Sequence, residues 1–370
     1  MFSKTRPTWL GVILVLATIA GACGDDADST DGAPESDATA TTQPPEPEDA
    51  DAGDGGEEAD PVGDSTDDDD APESSTRTVT HVLGTTEIPR EPERIYVNDP
   101  NALDVLVALG ADVAGATRWR PEFPVPEYIA SVSEVDIELS ADREPNFEMV
   151  AAFAPDLIVT ANSTDNTAYD LFSQIAPTVA YGESFDTADR SGWKVALEEI
   201  AAIIGREDAV AGILADYDAD VARLAAALDQ AGLADSTFAV MQPRDNINFR
   251  LRIPLGMVLG DTLWDDVGLA YQEFDDGLLA DHGFFADLSA ERVDLITADM
   301  LFVLVPLGFG EVAREQLESN PLWSFMPSFQ QGNICLLDAE GGDQAWFENG
   351  PLSLRRVVDD VIGCIEAFDT

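Results

Sequence analysis

From Arg94 onward, short apolar runs alternate with amphipathic segments. "RIYVN" predicts a strand, "DPNALDVLVALG" a helix opened by Pro100 and closed by Gly110, and "DVAGAT" a second strand. "NFEMVAAFA" reads as a helix with Phe147, Val150, Ala151 and Phe153 apolar. "DLIVTA" is apolar almost throughout, as a strand buried on both faces must be. "NTAYDLFSQIA" predicts a helix, "PTVAYG" a strand and "WKVALEEIAAIIG" a helix. A long amphipathic helix follows over Glu207–Gly232, with glycine to stop it. The pattern then restarts: strand "TFAVMQ", helix "PLGMVLGDTLWDDVG", helix "AERVDLITA", strand "MLFVLVP", helix "REQLESNPLWSFM", strand "GNICLLD" and a closing helix "GPLSLRRVVDDVIGCIEAF". Strands alternating with helices imply parallel sheets wound on both faces. The predicted fold class is α/β, with two doubly wound lobes (79–206 and 233–370) joined by one long rigid helix (207–232).

The first 78 residues have a different texture. Lys4 and Arg6 precede the apolar run "WLGVILVLATIAGA", and small residues lead to Cys23. This is an export signal over residues 1–23, too short for a comfortable membrane span. Ala20-Gly21-Ala22-Cys23 resembles a lipoprotein box, in which the chain is cut before the cysteine and Cys23 carries lipid. An ordinary secretory signal is the alternative. Residues 24–78 are rich in Asp, Glu, Pro, Ser, Thr, Gly and Ala, and the stretch Gly24–Thr76 holds 20 acidic and no basic side chains. Such a segment buries too little apolar surface to offset its ordering entropy and is expected to be a disordered, extended tether. The expected location is extracytoplasmic, anchored to the cell membrane through lipid.

Charge narrows the partners. The formal net charge is −53, which excludes nucleic acid. Excess Asp with little Lys fits solubility in a salty habitat. Against that background the arginines are unevenly placed. Arg118-Trp119-Arg120 follows the second strand, where loops carry function, and suits an anionic ligand with a stacking face. Arg244, Arg250 and Arg252 cluster in "QPRDNINFRLRIP", where alternation predicts an edge strand with Arg250 and Arg252 on one side. For every one of them, surface ion pairing is the plain alternative. Tyr181 and Trp346 are further cleft candidates, with a core aromatic as the alternative for each. The two histidines, His81 and His282, are far apart, so no directly bound metal is expected. No P-loop, G-x-S-x-G or Cys–His pairing stands out, so no enzyme activity and no cofactor is expected. Cys335 and Cys364 fall on the last strand and last helix and are either bonded or two buried thiols.

Four stretches, in order, resemble one family. "REPNFEMVAAFAPDLIVTANS" is similar to the P-N-(L/F)-E-x-(I/V)-A-x-(L/F)-x-P-D-L-I signature of ABC-transporter substrate-binding proteins for ferric siderophores, haem and cobalamin. "GTTEIPREPERIYVNDPNALDVLVALGADVAGAT", "FADLSAERVDLITADMLFV" and the run from "NPLWSFM" to "GPLSLRRVVDDV" resemble its other signatures. The resemblance implies a ligand cleft between the lobes, with the "FRLRI" run lining it. It also implies an ABC permease as partner, docked by one Glu from each lobe, here Glu148 and Glu291. The expected ligand is an anionic ferric siderophore, bound by a monomer. Haem and cobalamin are the rival ligands; a chelatase-like enzyme on the same fold is the rival activity.

Overall fold

The computed structural model describes residues 75–117, 124–133, 137–139, 145–162, 166–182, 192–244, 248–252, 261–274, 285–305, 319, 321–337 and 342–368. All of them belong to one compact unit, Asp69–Thr370. The export signal, Cys23 and residues 24–74 of the tether lie outside the described residues.

The first lobe starts earlier than its predicted boundary, with an antiparallel hairpin of β1 (Thr76–His81) and β2 (Gly84–Pro89). Then come β3 (Ile95–Val97), α1 (Pro100–Ala108), β4 (Val113–Ala116), α2 (Glu127–Ala130), β5 (Glu138–Leu139), α3 (Phe147–Phe153), β6 (Leu157–Ala161), α4 (Thr167–Phe172), β7 (Thr178–Tyr181) and α5 (Trp193–Ile204). Its sheet has the order β5-β4-β3-β6-β7, all parallel. Connections leave β3 in one direction and β6 in the other, so a crevice is expected beyond their carboxyl ends.

The tightness of "NFEMVAAFAPDL" has a local cause. Asn146 caps α3 by accepting from the Met149 N–H at 3.2 Å. Ala154 ends it in the left-handed region at φ 52°, and Asp156 anchors the return by accepting from the Glu93 and Arg94 N–H groups. Phe153 lies so close to β4 that a Cβ on Gly115 would come within 2.8 Å of it.

The connecting helix α6 (Glu207–Gln230) leads to β8 (Thr237–Pro243), β9 (Asn248–Arg252), α7 (Asp261–Val267), β10 (Ala270–Tyr271), β11 (Phe285–Ser289) and β12 (Met300–Leu304). A short helix Pro327–Gln331, β13 (Ile334–Leu337), a helical turn Gly342–Ala345 and the C-terminal helix Pro351–Phe368 complete the lobe. Its sheet runs β11-β9-β8-β12-β13 and is mixed, because β9 is antiparallel to both its neighbours. Three expectations need correction. β9 is not an edge strand, since β11 covers it. "AERVDLITA" is no α-helix: Ala290–Leu295 forms a 3-10 turn with Arg292 off helical geometry. Pro321–Phe325, within the predicted "REQLESNPLWSFM" helix, is likewise a 3-10 turn.

Strand alternation divides the core. On β8, Phe238 and Val240 face one cluster while Ala239 and Met241 face another; on β12, Phe302 and Val303 divide the same way. The first cluster runs without a break from Ile95, Val97 and Val159 of the first lobe through α1, α5, α6 and the C-terminal helix to Phe302 and Trp346. The two sheets therefore share an inner helical layer, and each closes its outer face separately. Asp220 pins α6 to the C-terminal helix: buried, it accepts from Arg355 at 2.8 Å and from Arg223 at 2.6 Å. Cys335 and Cys364 form a disulfide joining β13 to the C-terminal helix.

Candidate functional site: an arginine strip beside the lobe junction

At the carboxyl end of β8 three strands place polar residues in register. Gln242 lies opposite Arg250, and Arg250 lies opposite Asp287 on β11; Arg252 lies opposite Phe285. The intervening Met241, Phe249 and Leu251 enter the outer core, so the arginines share the face of Phe238 and Val240, which belong to the inner cluster. Both predicted arginines thus point to one side of the sheet, that of the inner cluster.

Each guanidinium is braced. Arg250 donates twice to Asp287, Nε to Oδ1 and Nη2 to Oδ2, both at 2.7 Å. Its other support is the Phe285 ring, 3.7 Å from the guanidinium carbon. Arg252 is buried, donates to Gln242 Oε1 at 3.0 Å, and lies 4.3 Å from the Phe347 ring. Arg244 is exposed, and its charge acts on Asp287 together with those of Arg250 and Arg252. The hydrogen-bonded Arg250 first, and then these charges, hold the Asp287 carboxyl below its ordinary range.

The segment from Trp346 to Gly350 joins this strip to the first lobe. Trp346 is fully buried, among the rings of Trp264 and Phe302. Phe347 supports Arg252. Glu348 accepts from the Tyr128 hydroxyl and, at 3.0 Å, from Gln344 Nε2. The Asn349 N–H donates to Asn101 Oδ1 at 2.9 Å. Gly350 lies against Asp104 of α1, leaving no room for a side chain: a Cβ would come within 2.4 Å of the Asp104 carboxyl carbon. That carboxylate accepts from the Leu352 and Ser353 N–H groups at 2.8 and 2.7 Å, capping the C-terminal helix from the other lobe. Burial pushes Glu348 up to about 8 and Asp104 up to about 6.

Other candidates fall elsewhere. Arg118, Trp119, Arg120 and His282 lie outside the described residues. Tyr181 is packed into the core, its hydroxyl donating to Asp99 at 2.6 Å, and Trp346 is enclosed; both follow the core-aromatic alternative and neither offers a free ring face to a cleft. His81 is held between Thr86 and Tyr169 at the hairpin. Among the described residues, no group of three or more His, Cys, Asp or Glu is placed to hold a metal ion. Glu148 and Glu291 are both exposed, and each lies two residues after a capping side chain, Asn146 and Ser289. Sequence reasoning missed Asp287, Phe285, Phe347, Gln242 and Glu348. Alternation in "FADLS" after "FRLRI" was the available signal for the first two; nothing local marks the others.

Residues 96–340 match the periplasmic binding protein family. The probable siderophore-binding lipoprotein YfiY of Bacillus subtilis is 28% identical over 309 residues, 80% of this chain and 90% of that protein. The ferric-anguibactin-binding protein FatB of Vibrio anguillarum is 26% identical, with coverages of 77% and 86%. Among solved structures, Staphylococcus aureus SirA complexed with staphyloferrin B superposes with a TM-score of 0.58 at 23% identity, covering 79% of this chain and 99% of that one. Two lobes around shared helices, a mixed second sheet and a match across two thirds of the length lead to one conclusion: the chain belongs to the periplasmic binding protein family.

Proposed function

We propose that this protein is an extracytoplasmic receptor that captures an anionic ferric siderophore between its lobes and delivers it to an ABC permease. The observation that carries the reading is the arginine strip. In a chain of 72 acidic and 19 basic side chains, Arg250 and Arg252 share one face of the second sheet, both braced by aromatic rings, with Arg244 nearby. Guanidinium forks suit catecholate and carboxylate oxygens, and pre-organisation limits the entropy lost on binding. The names of the relatives, siderophore-binding and ferric-anguibactin-binding proteins among them, support the ligand class and a role in binding without catalysis. Arg118, Trp119 and Arg120 belong to the proposal as further ligand contacts, on the strength of their sequence alone. Anchoring through Cys23 and a monomeric state complete it; Cys23→Ala is expected to release the protein from the membrane fraction.

Titration of intrinsic tryptophan fluorescence with ferric citrate, a ferric tricatecholate, a ferric trihydroxamate, haem and cobalamin tests the ligand class. Saturable binding of an anionic ferric chelate is expected; binding of haem or cobalamin alone would overturn it.

For delivery, Glu148 and Glu291 are proposed as the permease contacts. Their shared position two residues past a cap gives the lobes matching exposed carboxylates. A favourable first-turn carboxylate is the alternative for each, and it predicts no change in uptake. Replacing both by Ala is expected to abolish uptake in reconstituted vesicles with chelate affinity intact; normal uptake would remove them from the docking surface.

A further inference from the structure

We propose that Asp287 is the resident counter-anion of the arginine strip: it occupies on Arg250 the place of a chelate's anionic group and so sets how much negative charge a ligand must bring. The inference rests on the binding reading above and assigns a specificity-determining role to Asp287, a residue to which the family resemblance gave none.

The geometry separates the two partners. Arg250 is largely covered, its side chain 17% exposed and stacked on Phe285, whereas the Asp287 side chain is 53% exposed. The guanidinium is therefore fixed, and the carboxylate can swing into water. Two parallel 2.7 Å bonds occupy the Nε/Nη2 edge, the edge that receives a planar bidentate anion. A half-exposed ion pair is weak, so displacing Asp287 costs little. It costs something nonetheless, and a displaced Asp287 remains near the site as a negative charge. A chelate with one weak acceptor gains nothing by the exchange. One with several anionic oxygens also reaches the fields of Arg252 and Arg244, which already act on Asp287. The competing explanation is a cross-strand pair that only stabilises β9 against β11, where the two residues are direct partners. That explanation predicts no effect on ligand choice.

The test compares wild type with Asp287→Asn, an isosteric change at a half-exposed position, and with Asp287→Ser as a second variant should the first fold poorly. Each is titrated with ferric citrate, a ferric tricatecholate and a neutral ferric trihydroxamate, at low and high salt. The expected result is affinity about tenfold tighter for the two anions, a gain that shrinks with salt, and no change beyond about twofold for the neutral chelate. Unchanged or weaker anion binding, or equal gains for all three probes, overturns the proposal. Arg250→Ala distinguishes the two levels. If it weakens anion binding while Asp287→Asn does not strengthen it, Asp287 is only a strut. If Arg250→Ala changes no affinity, the arginine strip itself is not the site and both readings fall.

Discussion

Two polar regions meet at Phe347 and Glu348, and they treat charge in opposite ways. On the Glu348 side, Asp104, Glu348 and Tyr128 are enclosed between the lobes, with hydrogen bonds fixed at every named oxygen. On the Phe347 side, Arg250 and Arg252 are held by rings, and Asp287, the carboxylate paired with Arg250, is half in water. Burial without a compensating cation raises carboxyl pKa values and makes the junction a structural joint, intolerant of change. Cations fixed on apolar rings with an exchangeable partner are what the proposed receiving surface requires. The difference teaches where to look for binding: at charge that is pre-organised but incompletely committed.

Breaking the joint should produce the largest effect on stability. Asp104→Ala strands the Leu352 and Ser353 N–H groups in the interior and should cost about 2–4 kcal/mol, read from urea denaturation. A loss below about 0.5 kcal/mol would show that the C-terminal helix does not depend on this cross-lobe cap.

The second effect is pH dependence. Glu348 titrates near 4.5 when unfolded and near 8 when folded, so the folded state holds the extra proton. Its contribution is fully present below pH 4.5 and is lost progressively as pH rises to 8. Glu348→Gln removes the charge, so the variant should gain on wild type between pH 5 and 8 by an amount on the order of 1–4 kcal/mol. Parallel stability curves for the two proteins over that interval would contradict the assignment.

A smaller effect sharpens the contrast by lying far from both regions. Ala154 adopts φ 52° at the end of α3, so Ala154→Gly should stabilise by about 1 kcal/mol or less and leave chelate affinity unchanged. A destabilised variant would mean that the Ala154 methyl group packs more than its backbone strains.

Much of this architecture was legible in the sequence. β6, β8 and β12 are continuous apolar runs buried on both faces, and the strong periodicity of α5 and α6 left little choice. Less legible were elements whose burial is slight. The β1–β2 hairpin buries Val79, His81 and Ile88 among polar neighbours, and β11 buries only Ala286. "AERVDLITA" has helical composition, yet its exit is fixed by Gln272, which accepts from the Thr297 and Ala298 N–H groups and prevents helix continuation. For the site, the alternation that aligned Arg250 and Arg252 was readable. The pairing of Tyr128 with Glu348 spans 220 residues and exists only once the lobes have closed on their shared helices.

The most direct measurement is calorimetric titration of an anionic ferric chelate, bound by wild type, into Arg250→Ala, Arg252→Ala and the double variant. Each lost charge-assisted bond should weaken binding about ten- to hundredfold, with the neutral trihydroxamate affected far less. Undiminished affinity of the folded double variant for every anionic ferric chelate would contradict the central claim that this strip receives the ligand.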